Sequence, residues 1–193
     1  MIIYLIRHGH TALNAAGVLR GRLDPDLDST GRAEAEALAR SFARVPLELV
    51  VSSPLRRALA TAEALARPHG LDVNADDGWL DRDYGPWAGQ PVSKVKERFG
   101  SLDDAPGVEP RTDFEARVLG AFGRLVDALN PAATAAVVAH DALNRLVISK
   151  QVHGSHHGTG TIAQATGCWN RLEHGPEGWT APVVGAPPAR PAT

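Results

Sequence analysis

The sequence predicts an α/β fold, a three-layer α/β/α sandwich with a mostly parallel central sheet. Four short apolar runs have the composition of strands, at residues 2–6, 48–52, 71–75 and 135–139. Runs that are apolar almost throughout are typical of parallel strands covered on both faces. Helical segments separate these runs, and this alternation is the pattern of an open α/β sheet with helices on both sides.

The helices are predicted from apolar residues at helical spacing and from capping residues. Four helices are expected, at residues 32–45, 54–67, 112–129 and 143–153. Asp28 or Ser29 can cap the first, and Ser53 is expected to cap the second with Pro54 at its first position. Residues 168–173 and 179–184 are expected to be two short late strands, antiparallel at an edge. Residues 85–89 and 100–110 have the composition of loops.

The size and composition of the chain predict a single domain. It has 193 residues, of which 44% are hydrophobic and 22% charged, as in ordinary globular proteins. We expect the domain to span residues 1–184, followed by a Pro/Ala-rich tail at 185–193 that is disordered. The formal net charge is −2 and no basic run is visible. This balance argues against nucleic-acid and membrane-surface partners.

The cysteine content and the first residues predict a cytoplasmic protein. Cys168 is the single cysteine, so no internal disulfide can form, and we expect it to be a small buried residue. The apolar run at the N-terminus is too short for a signal peptide or a membrane span. The sequence does not determine the oligomeric state, and a homodimer is one assembly that it permits.

Polar clusters follow three of the predicted strands. They are Arg7-His8-Gly9, Ser52-Ser53-Pro54 with Arg57 one turn later, and His140-Asp141. In open α/β sheets, ligands bind beyond the carboxyl ends of the strands. We therefore expect these clusters to converge in one pocket, although they lie far apart in the sequence.

The side chains of this pocket suit phosphoryl transfer. The guanidinium groups of Arg7 and Arg57 can hold a phosphoryl group by charge-assisted hydrogen bonds. His8 can attack phosphorus as a neutral imidazole, and His140 can donate to the oxygens as charge spreads over them. A carboxyl group is still needed to protonate the leaving oxygen and then to activate water. The candidates are Asp81 and Asp83, and no metal is required.

Several segments, taken together and in order, resemble the histidine phosphatase superfamily, the phosphoglycerate-mutase-like family. The resemblance covers most of the chain, and the RHG triplet alone would be a weak signal. The matching segments are LIRHGHT at 5–11, Asn14, Gly21, Asp24-Pro25, the first helix at 31–38, SSPLRRALATA at 52–62, WAG at 87–89, PGVE at 106–109 and VVAHD at 137–141.

The resemblance implies a role for each matched residue. His8 is implied to be the phosphorylated nucleophile, and Arg7, Arg57 and His140 to complete the phosphate pocket. Asn14 is implied to lie near this pocket, and the backbone N–H of Asp141 to point into it. In the family, the proton donor precedes the glycine of the segment at 85–89 by a few residues. Counting back from Gly85 gives Asp81 as the proton donor, with Asp83 as the alternative.

The chain also departs from the family pattern. His10 stands where an acidic residue is usual, and Ala88 replaces a glutamate. Asp141 and Ala142 replace two glycines, which narrows the pocket and adds a negative charge beside His140. These departures bear on the identity of the substrate more than on the chemistry.

The predicted function is hydrolysis of a small phosphorylated metabolite by a phosphatase that needs neither metal nor cofactor. Two alternatives remain open: a phosphoglycerate mutase, which shares the phosphohistidine, and a protein that binds a phosphorylated ligand without catalysis.

His153, His156 and His157 also raise the question of a metal site. The surrounding glycines favour a solvated or substrate-gating loop there, since no carboxylate or thiol completes a ligand set nearby.

Overall fold

A computed structural model describes residues 1–152 and 162–188. Its centre is a six-stranded sheet with strand order β3-β2-β4-β1-β5-β6. The strands are β1 (Ile2–Arg7), β2 (Leu49–Ser52), β3 (Val73–Ala75), β4 (Thr134–Ala139), β5 (Trp169–Gly175) and β6 (Gly178–Ala186).

Strand β1 lies inside the sheet between two strands that come much later in the chain. It pairs in parallel with β4, from Ile2 opposite Thr134 to Arg7 opposite Ala139. It pairs antiparallel with β5 on its other side. Strand β2 is parallel to both β3 and β4, and β5 and β6 form an antiparallel hairpin at the edge. The mostly parallel sheet and the late edge strands are therefore confirmed.

In the described residues, six α-helices connect and cover these strands. They are α1 (Ala12–Ala15), α2 (Ser29–Phe42), α3 (Arg56–Ala66), α4 (Val92–Phe99), α5 (Arg111–Ala128) and α6 (Asp141–Gln151). Within the described residues, none of the helices is both long and apolar enough to cross a membrane.

The sheet has a hydrophobic core on each face, which confirms the three layers. Alternate residues of a strand point to opposite faces, so β1 contributes to both cores. Ile3 and Leu5 pack in the core that includes Phe122 of α5 and Leu143 of α6. The neighbouring residues Tyr4 and Ile6 join the opposite core, which includes side chains from α2 and α3.

Helix α4 was not predicted, because it is only eight residues long and has few apolar residues, although Val92, Val95 and Phe99 have helical spacing. Val95 is its only residue below the surface, among lysines and other polar side chains. The helix packs through Val95 onto a small satellite cluster with Leu19, Ala105 and Val108. Val92 and Phe99 pack against the same cluster, but a helix this short gives less periodicity than the window of about 11–18 residues on which a sequence-based prediction rests.

The predicted start of α3 was wrong. The helix begins at Arg56, with Leu55 as N-cap, rather than at Pro54 after Ser53. The Ser53 hydroxyl instead lies 2.9 Å from a ring nitrogen of His140. Asp28 caps α2 as expected, since its carboxylate accepts the N–H of Gly31.

The ends of the chain also differ from the prediction. Helix α6 begins at Asp141, two residues earlier than expected. Strand β6 continues through Gly185 and Ala186, which were assigned to the tail. The N–H of Gly185 donates to Asn170 Oδ1 at 2.8 Å and holds this end of the strand. Residues 189–193 lie outside the described residues.

Candidate active site

The carboxyl ends of the parallel strands bring the predicted pocket together. His8 directly follows β1 and His140 directly follows β4, and these two strands are paired neighbours. The imidazole rings of His8 and His140 are 5.2 Å apart between centroids. Arg57 comes from the first turn of α3, which follows β2. All three side chains are buried, which confirms that distant parts of the sequence converge here.

His8 has one ring nitrogen fixed by the backbone and the other turned toward the pocket. Its Nδ1 lies 2.7 Å from the carbonyl oxygen of Gly9, and an N–H at Nδ1 donates to it. This tautomer leaves Nε2 with a free lone pair, which accepts from Arg57 Nε at 3.3 Å. Burial, followed by the charges of Arg57 and Arg7, holds the pKa of His8 well below its usual value. The neutral imidazole is the nucleophilic form.

Arg57 is held by carbonyl oxygens of the segment that follows α1. Its Nη1 donates to Leu23 O at 2.6 Å and its Nη2 donates to Gly21 O at 3.0 Å. The same Nη2 lies 3.4 Å from a carboxylate oxygen of Asp81. The preceding Arg56 is exposed and pairs with Asp24 and Asp26. The structure therefore agrees with the choice of Arg57 as the pocket arginine.

Arg7 enters the pocket from the last position of β1. Its Nη1 donates to the backbone oxygen of Gln164 and lies 4.0 Å from Asp141 Oδ2. Its Nε is buried and has no hydrogen-bond partner among the described residues. Buried polar groups are normally satisfied, so a free guanidinium N–H at this position suits an anionic ligand.

His140 is oriented by Ser53. The hydroxyl of Ser53 lies 2.9 Å from His140 Nε2 and can act as donor or acceptor. His140 Nδ1 faces the pocket, 3.4 Å from Arg57 Nη2. Because a guanidinium can only donate, Nδ1 accepts from Arg57 in this arrangement and the proton of the neutral ring lies on Nε2, toward Ser53. Donation from Nδ1 to a phosphoryl oxygen requires the other tautomer, in which Ser53 donates to Nε2. Burial and the charge of Arg57 lower the pKa of His140 well below its usual value.

Asp81, rather than Asp83, lies in the pocket. The Asp81 side chain is 9% exposed, and its Oδ2 is 3.9 Å from His140 Nδ1. Burial raises the pKa of Asp81, against the opposing effect of Arg57, and so favours the protonated acid. Asp83 is 38% exposed and pairs with Arg22. The geometry thus supports Asp81 as the proton donor.

Asn14 and Asp141 have local partners. The Asn14 amide oxygen accepts from the N–H and the hydroxyl of Thr11, at 3.0 and 2.7 Å, within the turn that begins α1. The Asp141 carboxylate forms an i,i+4 ion pair with Arg145. The backbone N–H of Asp141 belongs to the first turn of α6, where N–H groups have no partner within the helix. Ligand contacts by these two residues stay predictions.

The remaining candidates lie outside the pocket or outside the described residues. His10 Nδ1 contacts the Asp28 carboxylate at 2.6 Å, and His10 N–H donates to Glu34 at 2.8 Å, so this residue ties the RHG segment to α2. Cys168 is buried, and burial raises its pKa to about 11, as suits a packing residue. His153, His156 and His157 fall outside the described residues.

The pocket contains residues that the sequence did not single out. Arg20 lines a cavity of about 350 Å³ together with Asp81, and its charge lowers the pKa values of His8 and His140. Ser53 orients His140, and the Thr61 hydroxyl accepts the N–H of Gly9 at 3.0 Å. Ser53 and Thr61 lie within the matched segment at 52–62, but Arg20 has no motif of its own.

Comparison with known proteins identifies the family. A sequence model of the histidine phosphatase superfamily, branch 1, matches residues 3–186. The chain belongs to the histidine phosphatase superfamily. The two histidines, the two arginines and the carboxyl group of the pocket are therefore arranged within a histidine phosphatase domain.

Named relatives of the chain include two curated proteins. Phosphoserine phosphatase 1 of Hydrogenobacter thermophilus is 36% identical over 97 residues, which cover 50% of this chain and 46% of the relative. A glucosyl-3-phosphoglycerate phosphatase of Mycolicibacterium vanbaalenii is 37% identical over 133 residues, which cover 64% of this chain and 59% of the relative. The aligned part of the chain thus spans about half the length of these curated relatives.

A solved structure shows the same similarity at the level of the fold. The structure of a mycobacterial glucosyl-3-phosphoglycerate phosphatase in complex with VO3 superimposes on this chain with a TM-score of 0.82. The two chains are 26% identical, and the match covers 96% of this chain and 98% of the other.

Proposed function

We propose that this histidine phosphatase hydrolyses phosphomonoesters through a phosphohistidine on His8. The observation that carries the proposal is the neutral, buried imidazole of His8, whose Nε2 faces the guanidinium of Arg57 at 3.3 Å. In a phosphoryl group held by Arg7 and Arg57, the phosphorus atom would face the lone pair of this nitrogen, which attacks it. The phosphatase names of the relatives support the same chemistry.

The first step transfers the phosphoryl group to the enzyme. The lone pair of His8 Nε2 forms a bond to phosphorus while the bond from phosphorus to the ester oxygen breaks. Asp81 gives its proton to that oxygen, so the alcohol leaves uncharged. The guanidinium groups of Arg7 and Arg57 and the N–H of His140 stabilise the charge on the three equatorial oxygens.

The second step releases phosphate. The Asp81 carboxylate, now deprotonated, accepts a proton from a water molecule as the water oxygen attacks phosphorus. The bond between His8 Nε2 and phosphorus breaks, and the imidazole returns to its neutral form. Asp81 is protonated again, so the cycle closes with one water consumed. No metal ion takes part in either step.

The direct test is to trap the phosphorylated protein. Wild type and His8→Ala are incubated with p-nitrophenyl phosphate in EDTA, and parallel samples are quenched and analysed for protein-bound phosphate. We expect turnover in wild type, with a phosphoenzyme that is labile in acid and stable in base. His8→Ala should show neither. The control is His174→Ala, which removes an exposed histidine of β5 and should behave as wild type.

Equal turnover by His8→Ala and wild type would disprove the role of His8. Binding of the phosphate ester by wild type, with no turnover and no trapped phosphate, would favour a protein that binds phosphorylated ligands without catalysis.

A further inference from the structure

We infer that the substrate of this phosphatase carries a carboxylate on its leaving group, and that Arg20 binds this carboxylate. The inference rests on the proposed function, because it concerns the alcohol that the proposed reaction releases. It adds a chemical class of substrate and a residue that selects it.

The cavity beside Asp81 is where the leaving group must lie. Asp81 donates its proton to the ester oxygen, so the rest of the alcohol lies on the Asp81 side of the phosphoryl group. The cavity there has a volume of about 350 Å³, and its wall includes Arg20, Tyr84 and Arg145. A substituent of the leaving group that points into this cavity therefore meets the Arg20 guanidinium.

Arg20 differs from the other arginines near this cavity in its lack of an acidic partner. Arg57 lies against Asp81, Arg82 pairs with Asp103, and Arg145 pairs with Asp141. No carboxylate within ion-pair distance of Arg20 occurs among residues 1–152 and 162–188. The undescribed segment at 153–161 contains no aspartate or glutamate in its sequence.

The Arg20 guanidinium also has an unsatisfied donor. Its Nε is buried and lacks a hydrogen-bond partner in the described part of the chain. Leaving such a group desolvated and unpaired is costly, and a bound acceptor would remove that cost. The position is fixed by the turn at Gly21, which has a φ of +50° and whose Cβ position would lie 2.8 Å from the carbonyl oxygen of Arg82.

The charges of the pocket are balanced except at Arg20. Asp81 is uncharged when it holds the proton for the leaving oxygen, and Asp141 is offset by Arg145. A phosphoryl dianion matches the two charges of Arg7 and Arg57. One cation then remains in the cavity, and a monoanion from the substrate would neutralise it.

A carboxylate fits this place better than a second phosphate. One guanidinium offers the parallel N–H donors that a carboxylate accepts. A second phosphate would bring about two charges against the single one of Arg20.

The test uses two esters that differ only in this group. In 3-phosphoglycerate a carboxylate occupies the position that a hydroxymethyl group occupies in glycerol 3-phosphate. Wild type should prefer 3-phosphoglycerate by about 10-fold to 100-fold in kcat/KM, as expected for one hydrogen-bonded ion pair. In Arg20→Met this preference should fall to within about threefold of unity, by the same estimate. Arg20→Lys should retain an intermediate preference for 3-phosphoglycerate. This variant serves as a check that the site still folds when Arg20 is replaced.

Arg22→Gln is the matched control, because Arg22 lies two residues away with an exposed side chain that pairs with Asp83. It should keep the wild-type preference. Equal kcat/KM values for the two esters in wild type would overturn the inference. So would an Arg20→Met variant that loses both activities in equal proportion, since Arg20 would then bind the phosphoryl group itself.

Binding measurements separate this inference from the proposed function. Calorimetric titration of His8→Ala with each ester reports affinity without turnover. Tighter binding of 3-phosphoglycerate that disappears in His8→Ala/Arg20→Met would support the role of Arg20 even if wild type forms no phosphoenzyme. Equal affinities for the two esters would overturn the role of Arg20 even if wild type hydrolyses p-nitrophenyl phosphate.

Discussion

At the scale of single residues, burial sets the protonation states that the chemistry needs. His8 and His140 lie out of contact with water beside the guanidinium of Arg57, and both pKa values are lowered. Asp81 shares the same surroundings, and its pKa is raised. Desolvation disfavours charge in all three groups, so it favours neutral imidazoles and a protonated carboxyl group together, as the proposed mechanism requires.

Asp81→Asn should slow hydrolysis in a way that depends on the leaving group. With glycerol 3-phosphate, whose alkoxide is a poor leaving group, we expect kcat/KM to fall by about 10²-fold to 10⁴-fold. With p-nitrophenyl phosphate the loss in the phosphorylation step should be much smaller, because p-nitrophenolate leaves without a proton. Steady-state kinetics with both esters make the comparison.

Asp83→Asn is the control for that experiment, since Asp83 is half-exposed and outside the pocket. It should keep wild-type rates with both esters. A uniform loss with both esters in Asp81→Asn, seen already in the pre-steady-state burst, would contradict the assignment of the proton donor.

Arg57→Lys should be nearly as damaging as removal of the side chain. A lysine carries the charge but cannot reproduce the several directed donors of a guanidinium. We expect kcat/KM for p-nitrophenyl phosphate to fall by about 10²-fold to 10³-fold, the range found when a transition-state donor is lost. Inhibition by inorganic vanadate should weaken in parallel. Arg56→Lys, one position earlier and exposed, should change neither quantity.

The pocket residues that the sequence revealed are those with a strict chemical pattern. Each of them lies within a matched motif, close to the end of a strand or the start of a helix: His8, Arg7, Arg57 and His140. Arg20 escaped notice because its role depends on which cavity it lines and on the absence of a nearby acid. Neither property can be predicted from the local sequence, because both depend on folding that brings residues 20, 81 and 141 together.

At the scale of secondary-structure elements, the RHG segment sits directly on the first turn of α2. A Cβ atom on Gly31 would lie 2.0 Å from the carbonyl oxygen of His10, and one on Gly9 would lie 2.6 Å from the carbonyl oxygen of Gly31. The two backbones can approach this closely only because both positions are glycine. Helix α2 thus supports the loop that carries His8.

Gly31→Ala should therefore destabilise the fold and reduce activity together. The added methyl group meets backbone atoms that cannot rotate away, so we expect a loss of about 1–3 kcal/mol in the free energy of unfolding, as for other overpacked sites. Displacement of the loop should also lower kcat. Urea denaturation and the p-nitrophenyl phosphate assay measure the two effects.

Gly123→Ala in α5 is the matched comparison, because nothing lies within 4 Å of its Cβ position. Alanine favours a helix over glycine, so this variant should gain about 0.5–1 kcal/mol and keep full activity. Equal stability of the two alanine variants would contradict the close packing at Gly31.

The elements with strong patterns were predictable, and those held by tertiary contacts were not. Strands β1, β2 and β4 are apolar almost throughout, and helices α2 and α5 carry apolar residues at helical spacing. Helix α4 is short and packs through Val92, Val95 and Phe99 on a small satellite cluster. Helix α3 begins after Ser53, whose hydroxyl contacts His140 instead of capping the helix. In both places a contact with a distant part of the chain decides the local structure.

At the scale of the whole molecule, the buried histidines should make stability depend on pH. The folded-state pKa values of His8 and His140 are lowered, so below about pH 6.5 the unfolded chain binds more protons than the folded protein. The free energy of unfolding should fall as pH decreases from there, by up to about 1.4 kcal/mol per pH unit for each histidine. Asp81 acts in the opposite direction, because its raised pKa contributes stability at low pH that is lost as pH rises.

Removing one buried histidine isolates its part of this effect. In His140→Asn, the fall in the free energy of unfolding from about pH 7.5 to about pH 5.5 should be smaller than in wild type, since one histidine no longer takes up a proton on unfolding. His8→Asn should have a similar effect. Denaturant titrations at several pH values give the slopes, and parallel slopes for all three proteins would contradict the lowered pKa values.

The position of β1 in the sheet has a consequence for how the protein is made. Ile2 pairs with Thr134 on one side and with Glu173 on the other, so β1 can pair only after segments that lie much later in the sequence have been synthesised. Contacts so distant in sequence make folding slow and leave apolar strands open to aggregation in the meantime. The segment that positions His8 is thus ordered only after β4 and β5 have been synthesised, so the pocket forms late in folding.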